Sequence, residues 1–346
     1  MIARVRGYAL PDGEYVDLYA DGDRWTTDPV PGAELVAEGW LVPGLVDAHT
    51  HPGAEFPGAA LDESMLRKHL HEHVDAGVTA IRSPGLAADP PPWFGEDPDV
   101  PRAWHAGPWL AQQGQFFEGW GNRPSHADLP AVAAAQARRT GWAKLIADWG
   151  VDDDPVPVDV LRATVEAVHA VGGRLAVHSQ QAAGGVAAVA AGVDSVEHGM
   201  CMDPALLNDM AAQGMALTPT LSVLQSSLGR MAQRADSPGK RWYVNGATAH
   251  PGLVAAAAEA GVTLLAGTDS LPHGRIIDEV RALAAAGLRP HDALAAASWT
   301  ARDYLGLPGL EPNAPADAVV YANDPRTDLD QLAHPLAVVL RGHRVR

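Results

Sequence analysis

The sequence predicts an α/β fold, a (β/α)8 TIM barrel that carries a small discontinuous β-sandwich domain built from both chain ends. Two observations predict the barrel. A cycle of helix, glycine and short strand repeats from residue 158 onward, and residue types that bind metals follow strands lying far apart in the chain. A doubly wound sheet would fit the repeat alone, but only a sheet that curls round brings those residues together.

The individual elements follow from the spacing of apolar residues. Helical spacing covers 158–171, 182–191, 204–213 and 253–260, and a glycine ends each segment before the next apolar run. Together with the earlier apolar runs, these cycles predict eight barrel strands at 41–49, 78–82, 104–110, 142–147, 174–178, 193–197, 215–219 and 262–267.

The two ends of the chain have a different pattern. Residues 1–40 contain short β-like pieces broken by proline and glycine turns, and residues 310–346 alternate as strands near 318–321 and 337–340. We therefore expect residues 1–40 and 310–346 to form the two parts of one β-sandwich, with the barrel at 41–309.

Composition limits the class of protein. A chain of 346 residues with 47% apolar and 19% charged residues can bury a large core. Its formal charge of -17 argues against nucleic acid or an anionic membrane as partner, so a small-molecule substrate is expected. The N-terminus lacks the apolar core of a signal peptide, and Cys201 is the only cysteine. We therefore expect a cytoplasmic protein.

Metal-binding residue types follow the apolar strands. The run 41–46 leads into Asp47-Ala48-His49-Thr50-His51, and alternate residues of an extended segment point to the same side. His49 and His51 can therefore hold one ion together. Later apolar runs end in His178, His198 and Asp269, and Lys144 lies inside another.

These positions resemble the amidohydrolase superfamily, most closely its imidazolonepropionase-like and prolidase-like binuclear metal-dependent hydrolases. The resemblance rests on Pro43 to His51, on Lys144 within Trp142-Ala143-Lys144-Leu145-Ile146, on His178, on Gly192 to Gly199 and on Ala266-Gly267-Thr268-Asp269. It covers essentially the whole chain. It implies the barrel with its site at the C-terminal face of the strands.

The resemblance also implies a ligand set. His49, His51 and Asp269 would bind one divalent cation, while His178 and His198 would bind a second. Lys144, carboxylated by carbon dioxide, would bridge the two as a carbamate, and imidazole and carboxylate ligands favour Zn2+. A bridging hydroxide would attack an amide C–N bond, with Asp269 as general base and His198 also polarising the substrate.

Lys144 has a simpler alternative role, a lysine at a strand end with its ammonium in water. The chain contains only three lysines, at 68, 144 and 240, and otherwise uses arginine. A neutral amine can form a carbamate and arginine cannot, so a lysine within an apolar run favours the bridge.

Substrate contacts are expected in the long loops after the strands. The segment 112–129 carries Phe116, Phe117 and Trp120, and the segment 225–250 carries Arg230 and Arg234. An apolar group joined to a carboxylate would suit such a lining, as in a dipeptide or N-acyl amino acid. The alternative is that these residues are packing aromatics and surface charges. The candidate substrate residues are Gln112, Arg241, Tyr243 and His273.

Other functions remain open at this point. A lactonase or phosphotriesterase would use the same ligands, and a non-catalytic scaffold would be expected to lose some of them. A mononuclear heterocycle deaminase is disfavoured, because such enzymes commonly carry glutamate where this chain has Gln181, and they lack the lysine. A homo-oligomer is compatible with the resemblance. We expect His69, His71 and His73 to be surface histidines of a helix.

Overall fold

The computed structural model describes residues 2–346, and strands from both chain ends form one sheet. β1 and β4 are parallel neighbours, and strands from the C-terminal segment extend the sheet beyond β4 in the order β15-β14-β13-β4-β1-β2-β3. β15 also pairs with β1. All seven strands thus belong to one hydrogen-bonded sheet, and the pairing of β15 with β1 shows that this sheet turns back on itself. The expected β-sandwich stays a prediction. The strand bounds are β1 Ile2–Ala9, β2 Glu14–Asp21, β3 Arg24–Thr26, β4 Ala33–Pro43, β13 Ala318–Tyr321, β14 Ala337–Leu340 and β15 His343–Arg344.

The central strands are parallel and follow one another round a barrel-like sheet. Hydrogen bonds link β5 to β7 as one ladder and β8 to β12 as another. Leu110 joins the two ladders by pairing with the backbone of Lys144 and Ile146, and the amide of Asp269 donates to the carbonyl of His49 at 2.8 Å on the opposite side. Bounds are β5 Leu45–Asp47, β6 Val78–Ser83, β7 Arg102–His105, β8 Trp142–Ile146, β9 Arg174–Ser179, β10 Ser195–His198, β11 Ala216–Thr218 and β12 Thr263–Leu264.

Helices cover the outside of the central strands. Their apolar sides pack on the strands, as where Leu161, Val165 and Val168 of one helix are buried in the main core. The bounds are α1 Glu63–Asp75, α2 Leu129–Thr140, α3 Val158–His169, α4 Ala182–Ala191, α5 Leu207–Ala212, α6 Leu221–Ala232, α7 Pro238–Glu259, α8 Ile276–Ala285, α9 Pro290–Ala296 and α10 Trp299–Tyr304. No helix within residues 2–346 is both long enough and apolar enough to cross a membrane.

The predicted first barrel strand, 41–49, is divided between the two sheets. β4 pairs with β1 and β13 as far as Pro43, whereas β5 pairs with β6. Gly44 lies at the crossing, and a Cβ there would come within 2.0 Å of Thr79 Oγ1. Glycine therefore permits the close approach that lets one continuous segment leave one sheet and enter the other.

The segment 225–250, expected to be a loop, is mostly helical. α6 and α7 form a helical hairpin, and α7 begins 15 residues before the predicted helix and continues through Pro251. A proline removes the hydrogen bond to the carbonyl four residues earlier, here that of Ala247. The side-chain nitrogen of Gln225 donates to this carbonyl at 2.6 Å, which explains how the helix tolerates the proline.

Candidate metal centre

His49 and His51 follow β5 and direct one ring nitrogen each toward the same point. Their Nε2 atoms are 3.1 Å apart. His51 Nδ1 lies 2.7 Å from the carbonyl oxygen of Gly85, and His49 Nδ1 lies 2.6 Å from Glu197 Oε2. Because a carbonyl only accepts, His51 carries its proton on Nδ1 and leaves Nε2 as an acceptor. The acceptor nitrogen of His51 thus faces Nε2 of His49, an arrangement that a cation between the two rings would stabilise.

Asp269 completes a three-residue group with these histidines. Its Oδ1 is 3.5 Å from His51 Nε2 and 3.9 Å from His49 Nε2. One ligand atom from each of the three residues lies within 4.8 Å of the other two. The Asp269 side chain retains 30% exposure to the cavity, and desolvation by the surrounding protein raises the pKa of its carboxyl.

His178 and His198 lie on the other side of His49. The His198 ring is 4.7 Å from the His178 ring and 5.0 Å from the His49 ring, centroid to centroid. His198 Nδ1 is held by Thr220 Oγ1 at 2.8 Å. His178 Nε2 is buried and lacks a hydrogen-bond partner among residues 2–346. Burial lowers the pKa of both rings well below the usual value, so both are neutral potential ligands.

Lys144 is buried in β8 and points into the same cavity. Its side chain is 1% exposed, and its Nζ has no hydrogen-bond partner in the described part of the chain. Burial lowers the pKa of this amine to about 8. The expected alternative, an ammonium in water, is therefore contradicted by the position of the side chain.

The backbone at two of these residues is in an uncommon conformation. His198 has a φ of 68° and Asp269 a φ of 46°, in the left-handed region that side chains other than glycine rarely adopt. Such strain concentrates at functional sites. Gly267, two residues before Asp269, lies so close to His49 that a Cβ would come within 2.5 Å of the His49 Cβ.

A buried ion pair between Arg82 and Glu197 contacts the Nδ1 side of the His49 ring. Glu197 Oε2 accepts from Arg82 at 2.9 Å as well as contacting His49 Nδ1, and Ser195 Oγ donates to Glu197 Oε1 at 2.5 Å. Arg82 also donates to the carbonyl of Ala48 at 2.7 Å. Neither Glu197 nor Arg82 was assigned a role from the sequence. The available signal was a charged residue inside the apolar strand β6.

Asp47 ties the histidine segment to the strand end that carries Asp269. Its Oδ1 accepts from the amides of His49 at 3.1 Å and Thr268 at 3.0 Å, and its Oδ2 accepts from Thr268 Oγ1 at 2.6 Å. Burial raises the pKa of the Asp47 carboxyl to about 7. Sequence reasoning included this residue in the motif without assigning it a role.

The expectation of three surface histidines on α1 is wrong for two of them. His69 and His73 are 6% and 0% exposed, because a spacing of four places them on the same inward face, whereas His71 is exposed. His73 Nε2 and His273 Nδ1 contact the hydroxyl of Thr50 at 3.1 and 2.9 Å. These rings therefore hold the residue between His49 and His51, and burial lowers the pKa of His73 to about 3.

A cavity of about 910 Å³ brings the predicted ligands together. All six, together with Tyr243 and His273, line it. Gln112 and Arg241 lie outside the lining. Gln112 donates to the carbonyl of Asp154, and Arg241 is paired with Asp236 on the surface. The complete predicted ligand set in this cavity is His49, His51, Lys144, His178, His198 and Asp269.

Known proteins match this chain along nearly its full length. The model of the Amidohydrolase family matches residues 40–345. Uncharacterised proteins from Mycobacterium tuberculosis strain H37Rv and Mycobacterium bovis are 39% identical over 354 residues, covering 98% of this chain and 94% of each relative.

Solved structures share the fold at lower identity. A Xaa-Pro dipeptidase with bound methionine superposes with a TM-score of 0.82 at 20% identity, covering 99% of this chain and 99% of that chain. The A. niger ochratoxinase superposes with a TM-score of 0.80 at 20% identity, covering 99% and 96%. A candidate prolidase from Bifidobacterium longum gives a TM-score of 0.84 at 23% identity, covering 99% and 94%.

Proposed function

The chain belongs to the amidohydrolase family, and on that premise we propose that it is a binuclear metal-dependent hydrolase with a (β/α)8 barrel that cleaves an amide C–N bond. A dipeptide or an N-acyl amino acid is the proposed substrate. One observation carries the proposal: His49 and His51 face each other with Nε2 atoms 3.1 Å apart, beside Asp269 and the unpaired amine of Lys144 within the described chain.

The side chains fit two divalent cations. His49, His51 and Asp269 would hold one, and His178 and His198 would hold the other. The free Nε2 of His178, buried and unpartnered in residues 2–346, supports this assignment. Neutral imidazole and carboxylate donors suit Zn2+ better than the oxygen-preferring Mg2+ or Ca2+.

Lys144 would bridge the two cations as a carbamate formed with carbon dioxide. A buried ammonium with no hydrogen-bond acceptor anywhere in residues 2–346 is unfavourable, and burial lowers the pKa of this amine to about 8, so the neutral form is much more accessible than in an exposed lysine. A neutral amine can attack carbon dioxide to form an N–C bond and release one proton, and the resulting carbamate would offer two oxygens that share one negative charge to the neighbouring ligand set.

The chain's own groups account for the proton movements. When bound, a pair of cations lowers the pKa of water and polarises a carbonyl. Asp269 opens onto the cavity, so its free carboxylate oxygen can accept the proton of the attacking water and return it to the leaving nitrogen. Thr220 Oγ1 holds Nδ1 of His198, so Nε2 of that ring is the nitrogen left to face the cavity and position the carbonyl.

The competing deaminase function is less compatible with the position of Gln181. The side-chain nitrogen of this residue donates to the carbonyls of Gly150 and Asp153, and so holds the loop after β8. Its neighbour Gln180, not Gln181, lines the cavity. A side chain occupied in this way is poorly placed to exchange protons with a heterocycle.

Replacing Lys144 with alanine tests the proposal. We expect loss of one of the two bound metals and of amide hydrolysis, with partial recovery on adding short carboxylic acids. In wild-type protein supplied with 13C-bicarbonate, a carbamate resonance should appear by NMR and be absent from Lys144→Ala. Lys68→Ala, at an exposed lysine on α1, is the control. Full activity and metal content in Lys144→Ala would reject the bridge.

A wider hydrolysis screen tests the alternatives that share this ligand set. Metal-loaded protein should turn over dipeptides or N-acyl amino acids faster than lactones and phosphotriesters. Metal-free protein that stays inactive after zinc and bicarbonate are added would favour the scaffold. The cytoplasmic location and a homo-oligomeric assembly stay predictions.

A further inference from the structure

The cavity has an apolar side made of aromatic rings, which we call the aromatic wall. Its face consists of Phe116, Phe117 and Trp149, which are half-buried, and its base of Trp109 and Trp120, which are buried. The base rings stack at 4.6 Å with an interplanar angle of 12°. The Trp149 ring lies 5.1 Å from Phe116 and 4.9 Å from Phe117 in edge-to-face contacts. Three of the chain's four phenylalanines line this cavity.

The aromatic wall adjoins the ligand histidines directly. The Trp149 ring is 5.3 Å from the His178 ring, and the Trp109 ring is 5.1 Å from the His51 ring. A group that fills the space against the wall would therefore lie next to the proposed scissile bond. The wall is large enough to desolvate a phenyl or indole ring, which aromatic faces bind through offset or edge contacts.

The loop that carries the wall is rigidly built. Arg123 donates to the carbonyls of Gln115 and Phe117, both at 3.0 Å, and also to that of Trp120. Phe116 has a φ of 67°, an uncommon conformation for a bulky residue. Packing alone would be satisfied by many loop conformations, so this strained backbone favours a functional placement of the ring.

The lining of the cavity also contains two positively charged side chains. Arg230 in the last turn of α6 and Arg234 just beyond its end both line the cavity, and we call them the arginine pair. Neither guanidinium forms an ion pair or a hydrogen bond with any group in residues 2–346. Asp269 is the only carboxylate in the lining of the described chain, although the protein as a whole carries a formal charge of -17.

We propose that the aromatic wall and the arginine pair select an N-acyl or aminoacyl derivative of an aromatic amino acid, with the ring against the wall and the free carboxylate on the arginines. This inference rests on the proposed function for the position of the amide between them. Positive charge in the lining of a cavity attracts anions, and guanidinium groups bind carboxylates through paired donors. The unpaired arginines remain available for this role because no protein carboxylate in residues 2–346 competes for them.

Binding and turnover of three probes test the inference in metal-loaded protein. The probes are N-acetyl-L-phenylalanine, N-acetyl-L-phenylalaninol, which lacks the carboxylate, and N-acetyl-L-alanine, which lacks the ring. We expect the first to bind at least about tenfold more tightly than either of the others by calorimetry, since each lost probe group removes one of the two contacts.

Variants separate the two contacts. Arg230→Gln combined with Arg234→Gln should weaken binding of N-acetyl-L-phenylalanine about tenfold or more and leave N-acetyl-L-phenylalaninol unchanged. Trp149→Leu should remove the preference for phenylalanine over alanine. Arg138→Gln and Trp93→Leu, an exposed arginine on α2 and a tryptophan outside the cavity, are the matched controls.

The result distinguishes the inference from the proposed function. Selective binding with the expected variant pattern, but no cleavage of the amide, would leave the inference standing and reject the hydrolase. Cleavage that is equally fast for the acid and the alcohol, and unchanged in the arginine double variant, would overturn the inference while the hydrolase stands.

Discussion

Replacing Glu197 with glutamine tests how the protein holds His49 for a metal. The glutamate carboxylate is 0% exposed and receives hydrogen bonds from Arg82 and Ser195 while contacting His49 Nδ1 at 2.6 Å. Burial alone would raise the pKa of Glu197, but the positive charge of Arg82 outweighs it and holds this pKa well below its usual value. Glutamine keeps the shape and can keep an oxygen at the Oε2 position, but it removes the negative charge.

The expected losses of metal affinity and of stability in Glu197→Gln follow from the hydrogen bonds that the charged carboxylate makes to His49 and Arg82. A hydrogen bond to a charged group contributes about 1.5–3 kcal/mol, compared with about 0.5–1.5 kcal/mol for a neutral bond. The single bond to His49 therefore weakens by roughly 1–1.5 kcal/mol, which corresponds to about a tenfold loss of metal affinity. The bond to Arg82 weakens similarly, and the arginine is left as a buried charge without a counterion, so the free energy of unfolding should fall by about 3 kcal/mol.

Two measurements separate these effects. Competition with a chromophoric zinc chelator gives metal affinity, and urea denaturation of metal-free protein gives the free energy of unfolding. Glu38→Gln changes an exposed carboxylate that pairs with Arg6 on the seven-stranded sheet, and it should change neither quantity. If Glu197→Gln loses stability but binds zinc as tightly as the wild type, Glu197 supports the core and does not position His49.

Two further substitutions test the supports of the site. Gly267→Ala should reduce zinc affinity and destabilise the protein by about 2 kcal/mol, because the new methyl group would displace His49. Gly252→Ala, in open space on α7, is the control in the same assays. Equal behaviour of the two variants would contradict the argument that the methyl group crowds His49. Glu279 accepts from the amides of Leu221 and Ser222 where α6 begins, and burial raises its pKa from 4.5 to about 7. The folded state therefore keeps a proton that the unfolded chain releases, and the free energy of unfolding falls between pH 4.5 and 7 by up to about 3 kcal/mol. Glu279→Gln should lack this decrease, whereas pH profiles of urea denaturation parallel to the wild type would refute it.

The sequence predicted which candidate ligands share the cavity better than it predicted their surroundings. The spacing of His49 and His51 determines that both face the same side. The repeat of helix, glycine and short strand places His178, His198 and Asp269 at strand ends. These are local properties of the chain. The partners of those residues depend on which strands become neighbours, so Arg82 and Glu197 could be seen as unusual buried charges but not as a pair behind His49.

The ends of strands and helices were least predictable where one continuous segment contributes to two elements. The run 41–49 reads as one strand, and its division at Gly44 depends on contact with Thr79 in a different strand. The segment 225–250 was expected to be a loop, and Pro251, which would ordinarily break a helix, lies inside α7. The compensating bond comes from Gln225, 22 residues away from the carbonyl it contacts.

The arginine pair explains why the substrate side of the cavity is harder to predict than the metal side. Segment 225–250 contains several basic residues, and composition cannot say which of them face the cavity. The turn between α6 and α7 lets Asp236 pair with Arg241 on the surface, while Arg230 and Arg234 face the cavity without a carboxylate partner in the described chain. The proposed selectivity for an anionic substrate would thus depend on which arginines the fold leaves unpaired. Moving the carboxylate, by Asp236→Asn combined with Gln233→Glu, should place a negative charge in the lining and weaken binding of N-acetyl-L-phenylalanine while leaving that of the uncharged alcohol unchanged.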